Sequence, residues 1–137
     1  MSLIIIFLSS GSVYASGDIS LESSMAELTS QAIKGDPEAQ TYLGMHYAIG
    51  IGDSKTAAKW YRAAAEQDHA GAQMRLGWLY EKGEGVEQSD VKAFEWFQKS
   101  AAQGLESAIA ALGDMYKEGR GTPQNTEKAE ELYSTSY

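Results

Sequence analysis

An all-α solenoid of about three stacked helix pairs, closed at its N-terminal end by a capping helix, is the fold this sequence predicts. Three observations carry the prediction. One phrase is written three times, as Ala39-Gln40-Thr41-Tyr42-Leu43-Gly44-Met45-His46-Tyr47-Ala48-Ile49-Gly50, as Ala72-Gln73-Met74-Arg75-Leu76-Gly77-Trp78-Leu79-Tyr80-Glu81-Lys82-Gly83, and as Ala108-Ile109-Ala110-Ala111-Leu112-Gly113-Asp114-Met115-Tyr116-Lys117-Glu118-Gly119, with offsets of 33 and 36 residues. A second element recurs at the longer spacing: Ala57, Trp60 and Tyr61 match Ala93, Trp96 and Phe97, then Ala129, Leu132 and Tyr133. The register is consistent, since Gly35 to Gly44, Asp68 to Gly77 and Gly104 to Gly113 are each nine residues apart. A period of this length marks helix pairs that each bury a face only by stacking on the next.

The elements follow in order. Leu21, Met25, Leu28 and Ala32 recur at helical spacing and predict a capping helix over 21–34. Gly35-Asp36-Pro37 ends it and opens helix 37–48, with Asp36 as N-cap and Pro37 at N1. Gly50-Ile51-Gly52-Asp53 turns the chain into an antiparallel partner at 54–67. The second pair is 70–82 and 89–103, the third 106–118 and 125–136, each joined by a loop holding a Gly-x-Gly. Seven helices are expected, and the three-residue shortfall of repeat one falls in its loop, after Gly52.

Residue types explain the packing. A helical glycine costs about 1 kcal/mol relative to alanine. Gly44, Gly77 and Gly113 all accept that cost at one place, which predicts a close approach that a Cβ would block. Leu43, Leu76 and Leu112 with Tyr47, Tyr80 and Tyr116 form the packed stripe. Trp60 and Trp96 are read as core, buried against the first helices of their own and the following repeat.

The repeats resemble the SEL-like family, relatives of the tetratricopeptide repeat. Repeat two carries the motif nearly throughout, in Ala72, Leu76, Gly77, Tyr80, Gly83, Gly85, Val86, Asp90, Lys92, Ala93, Trp96, Phe97, Ala101, Ala102 and Gly104. Repeat one departs in its short loop and at Asp68, repeat three at Thr122 and Leu132. The resemblance implies a right-handed superhelix and a role in binding proteins. It also implies bacterial, often exported adaptors, some of them immunity proteins for secreted toxic effectors.

Composition narrows the partner. The net charge is −8, from 19 acidic against 11 basic residues, with no local basic cluster. Such a field repels nucleic acid and anionic membrane surfaces, and leaves another protein as the expected partner. There is no cysteine, hence no disulfide or thiolate chemistry. At the N-terminus the run Leu3-Ile4-Ile5-Ile6-Phe7-Leu8 precedes Val13-Tyr14-Ala15, a small-x-small pattern. That predicts a signal peptide over 1–15, a linker and capping helix over 16–35, and the three-repeat solenoid over 36–137. Export places the protein in the periplasm or outside the cell; a leader that does not function leaves it in the cytoplasm. The apolar run is too short for the roughly 20 residues that span a bilayer, so no stable membrane insertion is expected after processing.

No catalytic, cofactor or metal site is expected. His46 and His69 stand alone, without a second ligand at metal spacing, and are read as a surface or groove residue and a plain turn residue. Gly83-Glu84-Gly85 follows a helix and adds an acid, so it is turn chemistry rather than a phosphate loop. An enzymatic role therefore lacks its constellation.

Binding residues come from variability within the repeat. The place after the motif glycine holds Met45, Trp78 and Asp114, a mixture that common packing would not accept. The expectation is a shallow groove centred on Trp78, flanked by Met45 and His46, with Arg75, Glu81, Asp114 and Lys117 as its polar rim. A structural alternative is self-association, as a homodimer, through the uncapped last helix at Ala129, Leu132 and Tyr133.

Overall fold

The computed structural model describes residues 24–135; the signal-peptide reading, the linker and the first three residues of the expected capping helix lie outside them. Seven α-helices and no strand occur among the described residues: α1 (24–33), α2 (Pro37–Met45), α3 (Ser54–Ala65), α4 (Ala70–Lys82), α5 (Asp90–Ala102), α6 (Glu106–Glu118) and α7 (Thr126–Thr135). Helices α2/α3, α4/α5 and α6/α7 are the three antiparallel pairs, and each pair packs on the next to form the solenoid. Helix α1 caps the stack: Ala32 is buried with Ala39 and Leu43, and Met25 and Leu28 lie against them.

Helix starts are built as the sequence indicates, with one surprise. The Asp36 carboxylate accepts from the Glu38 N–H, with Pro37 at N1. Asp53 accepts from the Thr56 N–H and Ser89 from the Lys92 N–H. At α4 the cap is His69, whose Nδ1 accepts from the Ala72 N–H at 3.1 Å. Leu105, at the same place before α6, provides no side-chain cap. The turns that precede these caps need a left-handed residue, and Gly35, Asp68 and Gly104 all have positive φ.

The motif glycines receive an aromatic ring from the second helix of their own repeat. A Cβ on Gly44 would lie 2.6 Å from the Tyr61 ring, on Gly77 2.7 Å from Phe97, and on Gly113 2.6 Å from Tyr133. The expectation for Trp60 and Trp96 needs correcting here. Both are only partly buried, while the next residue in each helix, Tyr61 or Phe97, is buried in the core. The pair is adjacent in a helix, about 100° apart, so only one of the two can face the motif glycine. Trp96 lies under the Lys99 ammonium, 4.7 Å from the ring centroid, and Trp60 flanks the Ala32–Ala39–Leu43 cluster.

The first repeat also ends its first helix differently from the expectation. Helix α2 does not stop at residue 48; it widens into a π-helical segment, His46–Ile51, closed by Gly52 at φ 80°. The Tyr47 carbonyl accepts from the Asp53 N–H at 2.8 Å, so the chain passes directly into the α3 cap without a loop. In the longer loops the second glycine lies against the preceding repeat. A Cβ on Gly85 would meet the backbone carbonyl of Ser54, and one on Gly121 that of Asp90. A Cβ on Gly52 would meet nothing within 4 Å; among the described residues the single helix α1 precedes this repeat.

Candidate protein-binding cleft

Helix α4 brings Arg75, Trp78, Leu79 and Lys82 to one side of the molecule, at the three- and four-residue spacings that share a helix face. The π-helical end of α2 supplies Ala48 and Ile49, α3 contributes Tyr61, and the exposed Glu84 stands at the lip. Together they line a cleft of about 190 Å³. Its walls are apolar: Ile49 is 78% exposed and Trp78 37%, so both offer uncovered surface. The π segment is what puts Ile49 there. An α-helix ending at residue 48, as expected, would have left it in a loop.

Apart from Glu84, the polar side chains of this cleft can all donate. Of the three arginines, Arg62 donates to the Tyr80 hydroxyl at 2.5 Å and Arg120 to Glu81 at 2.9 Å, whereas Arg75 has no hydrogen bond or ion pair among the described residues. Its Nε is cut off from solvent and unpartnered. Lys82, the Trp78 indole N–H and the Tyr61 hydroxyl likewise make no hydrogen bond or ion pair among the described residues. Burial pushes the Tyr61 phenol above its ordinary range, and the nearby Arg75 charge works against that shift.

The predicted groove residues divide. Arg75 and Trp78 meet in the cleft. Met45 is partly buried and packs against the core, and His46 is exposed on the π segment with its ring edge-on to Tyr47. Glu81 is not a free rim residue: it pairs with Arg120, whose guanidinium also reaches Glu118 at 3.4 Å and Asp90 at 3.9 Å. Asp114 is exposed but accepts a 2.5 Å hydrogen bond from the Tyr133 hydroxyl, which ties α6 to α7. Lys117 is exposed, outside the cleft lining. Ile49, Tyr61, Lys82 and Glu84 were not read as groove residues. The repeat register could have flagged Lys82, which follows Trp78 by one turn.

At the other predicted surface, Ala129 is not available. It is 1% exposed, packed inward on α7, and Tyr133 covers Gly113. Leu132 is partly exposed. The inward stripe of α7 packs on α6.

His69 also holds more than a plain turn residue would. Besides capping α4, it places Nε2 3.0 Å from Glu38 Oε2 and Nδ1 3.2 Å from the Thr41 hydroxyl, both on the first repeat. Since Nδ1 accepts from a backbone N–H, the proton sits on Nε2 and is donated to Glu38. This is a structural pin between repeats. Among the described residues no group of three or more acidic, histidine or cysteine side chains could hold a metal, and no helix is long and apolar enough to cross a membrane.

A larger hollow, about 560 Å³, lies on the outer face of α1 beside Met25, Ala26 and Ile33. Its remaining lining is Thr29, Ser30 and Lys34, with no aromatic side chain and a single cation, so the α4 cleft is the better candidate.

Comparison with known proteins agrees with this architecture. The family model described as Sel1 repeat matches residues 37–69, 70–105 and 106–137. A crystal structure of a Sel1 repeat protein from Oxalobacter formigenes is similar at 32% identity and TM-score 0.78, covering 81% of this chain and 87% of that one. The c5321 protein, a protective antigen present in uropathogenic Escherichia coli strains, is similar at 34% identity and TM-score 0.79, over 82% of this chain but only 25% of that longer one. Cysteine rich protein B of Helicobacter pylori shares the fold, at 16% identity and TM-score 0.68, over 82% of this chain and 86% of that one. Among curated proteins none matches the chain.

Proposed function

Because this chain belongs to the Sel1 repeat family, whose repeats are generally protein-interaction modules, we propose that it is an exported bacterial adaptor that binds a partner protein through the face of α4. The observation that carries this reading is the α4 cleft, where a half-exposed indole stands beside an arginine and a lysine that the fold does not use. Tryptophan and arginine in a pocket are the residues that dominate binding energies at protein interfaces. Met45, His46, Asp114 and Lys117 lie outside this cleft and extend the same proposed surface. The apolar run at 3–8 and the Val13-Tyr14-Ala15 pattern support export. An immunity-type role, binding a toxic effector, is the narrower form of the same reading.

Two measurements test it. The mature protein should begin at Ser16 and be recovered from the periplasm or medium; an intact N-terminus in the cytoplasm overturns export. Trp78→Ala should abolish capture of a partner from envelope or secreted fractions while leaving the melting transition in place. A variant that melts much earlier would instead assign Trp78 to the core. For self-association through α7, the structural alternative, Ala129 is buried while Leu132 and Tyr133 are partly exposed. A sedimentation series that stays monomeric over the accessible concentrations removes it.

A further inference from the structure

Resting on that reading of α4, we propose that the cleft takes an extended acidic segment of a partner protein, seating one apolar side chain between Arg75 and Lys82 and pairing a carboxylate with each. The cleft holds the Arg75 guanidinium, the Lys82 ammonium, the Trp78 indole N–H and the Tyr61 hydroxyl, and its lining carboxylate is Glu84 alone, exposed at the lip. Donors outnumber acceptors, and an arginine with a solvent-excluded, unpartnered Nε is held by nothing within the fold. Such a group gains most from a ligand that brings anionic acceptors, since charge-assisted hydrogen bonds are about twice as strong as neutral ones.

Size and spacing then set the form of the ligand. About 190 Å³ is below the roughly 300–1,000 Å³ of small-molecule sites and suits a single side chain. Ala48, Ile49 and Leu79 make its walls apolar, so the seated side chain is apolar too. Arg75 and Lys82 are two helical turns apart, about 10 Å along α4. An extended chain advances about 6.6 Å per two residues on one face. Glutamates two residues to either side of an apolar anchor therefore project from the same face as the anchor and reach both cations. The net charge of −8 opposes such a ligand at a distance, but at physiological salt that field fades over about 8 Å. Selection is left to short-range contacts in the cleft.

The test is titration of the full protein, by calorimetry and tryptophan emission, with a terminally blocked peptide carrying a central leucine and a glutamate two residues to each side. Saturable binding is expected. Exchanging both glutamates for glutamine, or Arg75→Met in the protein, should weaken it by about tenfold or more, and leucine to serine should do the same. Glu84→Lys, on the exposed lip, should tighten it, which keeps the test decisive should Arg75→Met disturb folding. Equal binding of the glutamate and glutamine peptides overturns the proposal, as does an unmoved affinity in Arg75→Met with Glu84→Lys also neutral. Binding only when the peptide carries a free C-terminal carboxylate would overturn the internal-segment assignment in favour of a chain terminus. Failure of every peptide overturns the acidic ligand, while loss of partner capture by Trp78→Ala would still uphold the broader protein-binding role.

Discussion

Between repeats one and two the chain passes through Asp68 and His69; between repeats two and three it passes through Gly104 and Leu105. The first junction is pinned by polar groups. His69 caps α4 and reaches Glu38 and Thr41, and the buried Gln73 amide donates to the Ala65 carbonyl at 3.1 Å while its oxygen accepts from Gln103 at 2.9 Å. Gln40 repeats this one step earlier, donating to Ala32 and accepting from Gln67. At the second junction Leu105 makes no cap and Ile109 replaces the glutamine. Contacts there are the Ser107 hydroxyl on Met74 and the Arg120 node with Glu81 and Asp90. The two junctions adopt the same geometry from different chemistry. What they share is alanine, glycine, leucine and one aromatic ring, so shape sets the fold and the polar pins add specificity to it.

That comparison can be broken most severely at the shared feature. Gly77→Ala drives a methyl into the Phe97 ring, which is fully buried, and should cost about 2–3 kcal/mol in urea unfolding even after the helix gains alanine. Gly113→Ala meets Tyr133, which is partly exposed on the last helix and can swing aside; its cost should stay below about 1 kcal/mol. Equal losses at the two glycines would mean the stack is no tighter at its centre than at its end.

Next come the pins. Gln73→Ala leaves the Ala65 carbonyl and the Gln103 amide without their partner and should cost about 2 kcal/mol. Gln73→Ile, which copies the second junction, should recover part of this through apolar burial; no recovery would show that the two junctions are not interchangeable. His69→Ala removes one N-cap and should cost about 1 kcal/mol by thermal or urea melting, whereas Leu105, with no cap to lose, should respond to substitution only through packing.

The smallest expected effect separates the first connection from the two longer ones. The Thr56 hydroxyl and N–H hold the Asp53 carboxylate below its ordinary 3.8, so its folded form favours the anion. Its contribution is complete above that ordinary value and is lost as pH falls through the depressed folded value. Asp53→Asn should therefore flatten the acid limb of the stability profile without moving the neutral plateau much. A profile identical to the parent would show that the cap is idle.

Much of the fold was legible. Helices α4 and α6 stand at the predicted 70–82 and 106–118, because glycine stops and the repeat register agreed there. Asp68 was identifiable as a left-handed turn residue from its place opposite Gly104, and it has φ 62°. The π segment was not legible. A three-residue deletion can be absorbed by a shorter loop or by a wider helical turn, and the spacing of the motif is the same in both cases. The cleft was half legible. Variability after the motif glycine pointed to Trp78, but Glu81 and Asp114 are engaged with Arg120 and Tyr133, residues 39 and 19 positions away in the chain.

The sequence by itself determined the number of helix pairs, their register and the glycines at their crossings, since each repeats with a period that chemistry alone can read. Tertiary structure decided which aromatic of each pair turns inward, which carboxylates are spent on ion pairs, and that Arg75 is spent on none. Periodicity constrains a residue against its own helix. Whether a charge is satisfied depends on a partner brought close only by stacking, and no one-dimensional pattern records that distance.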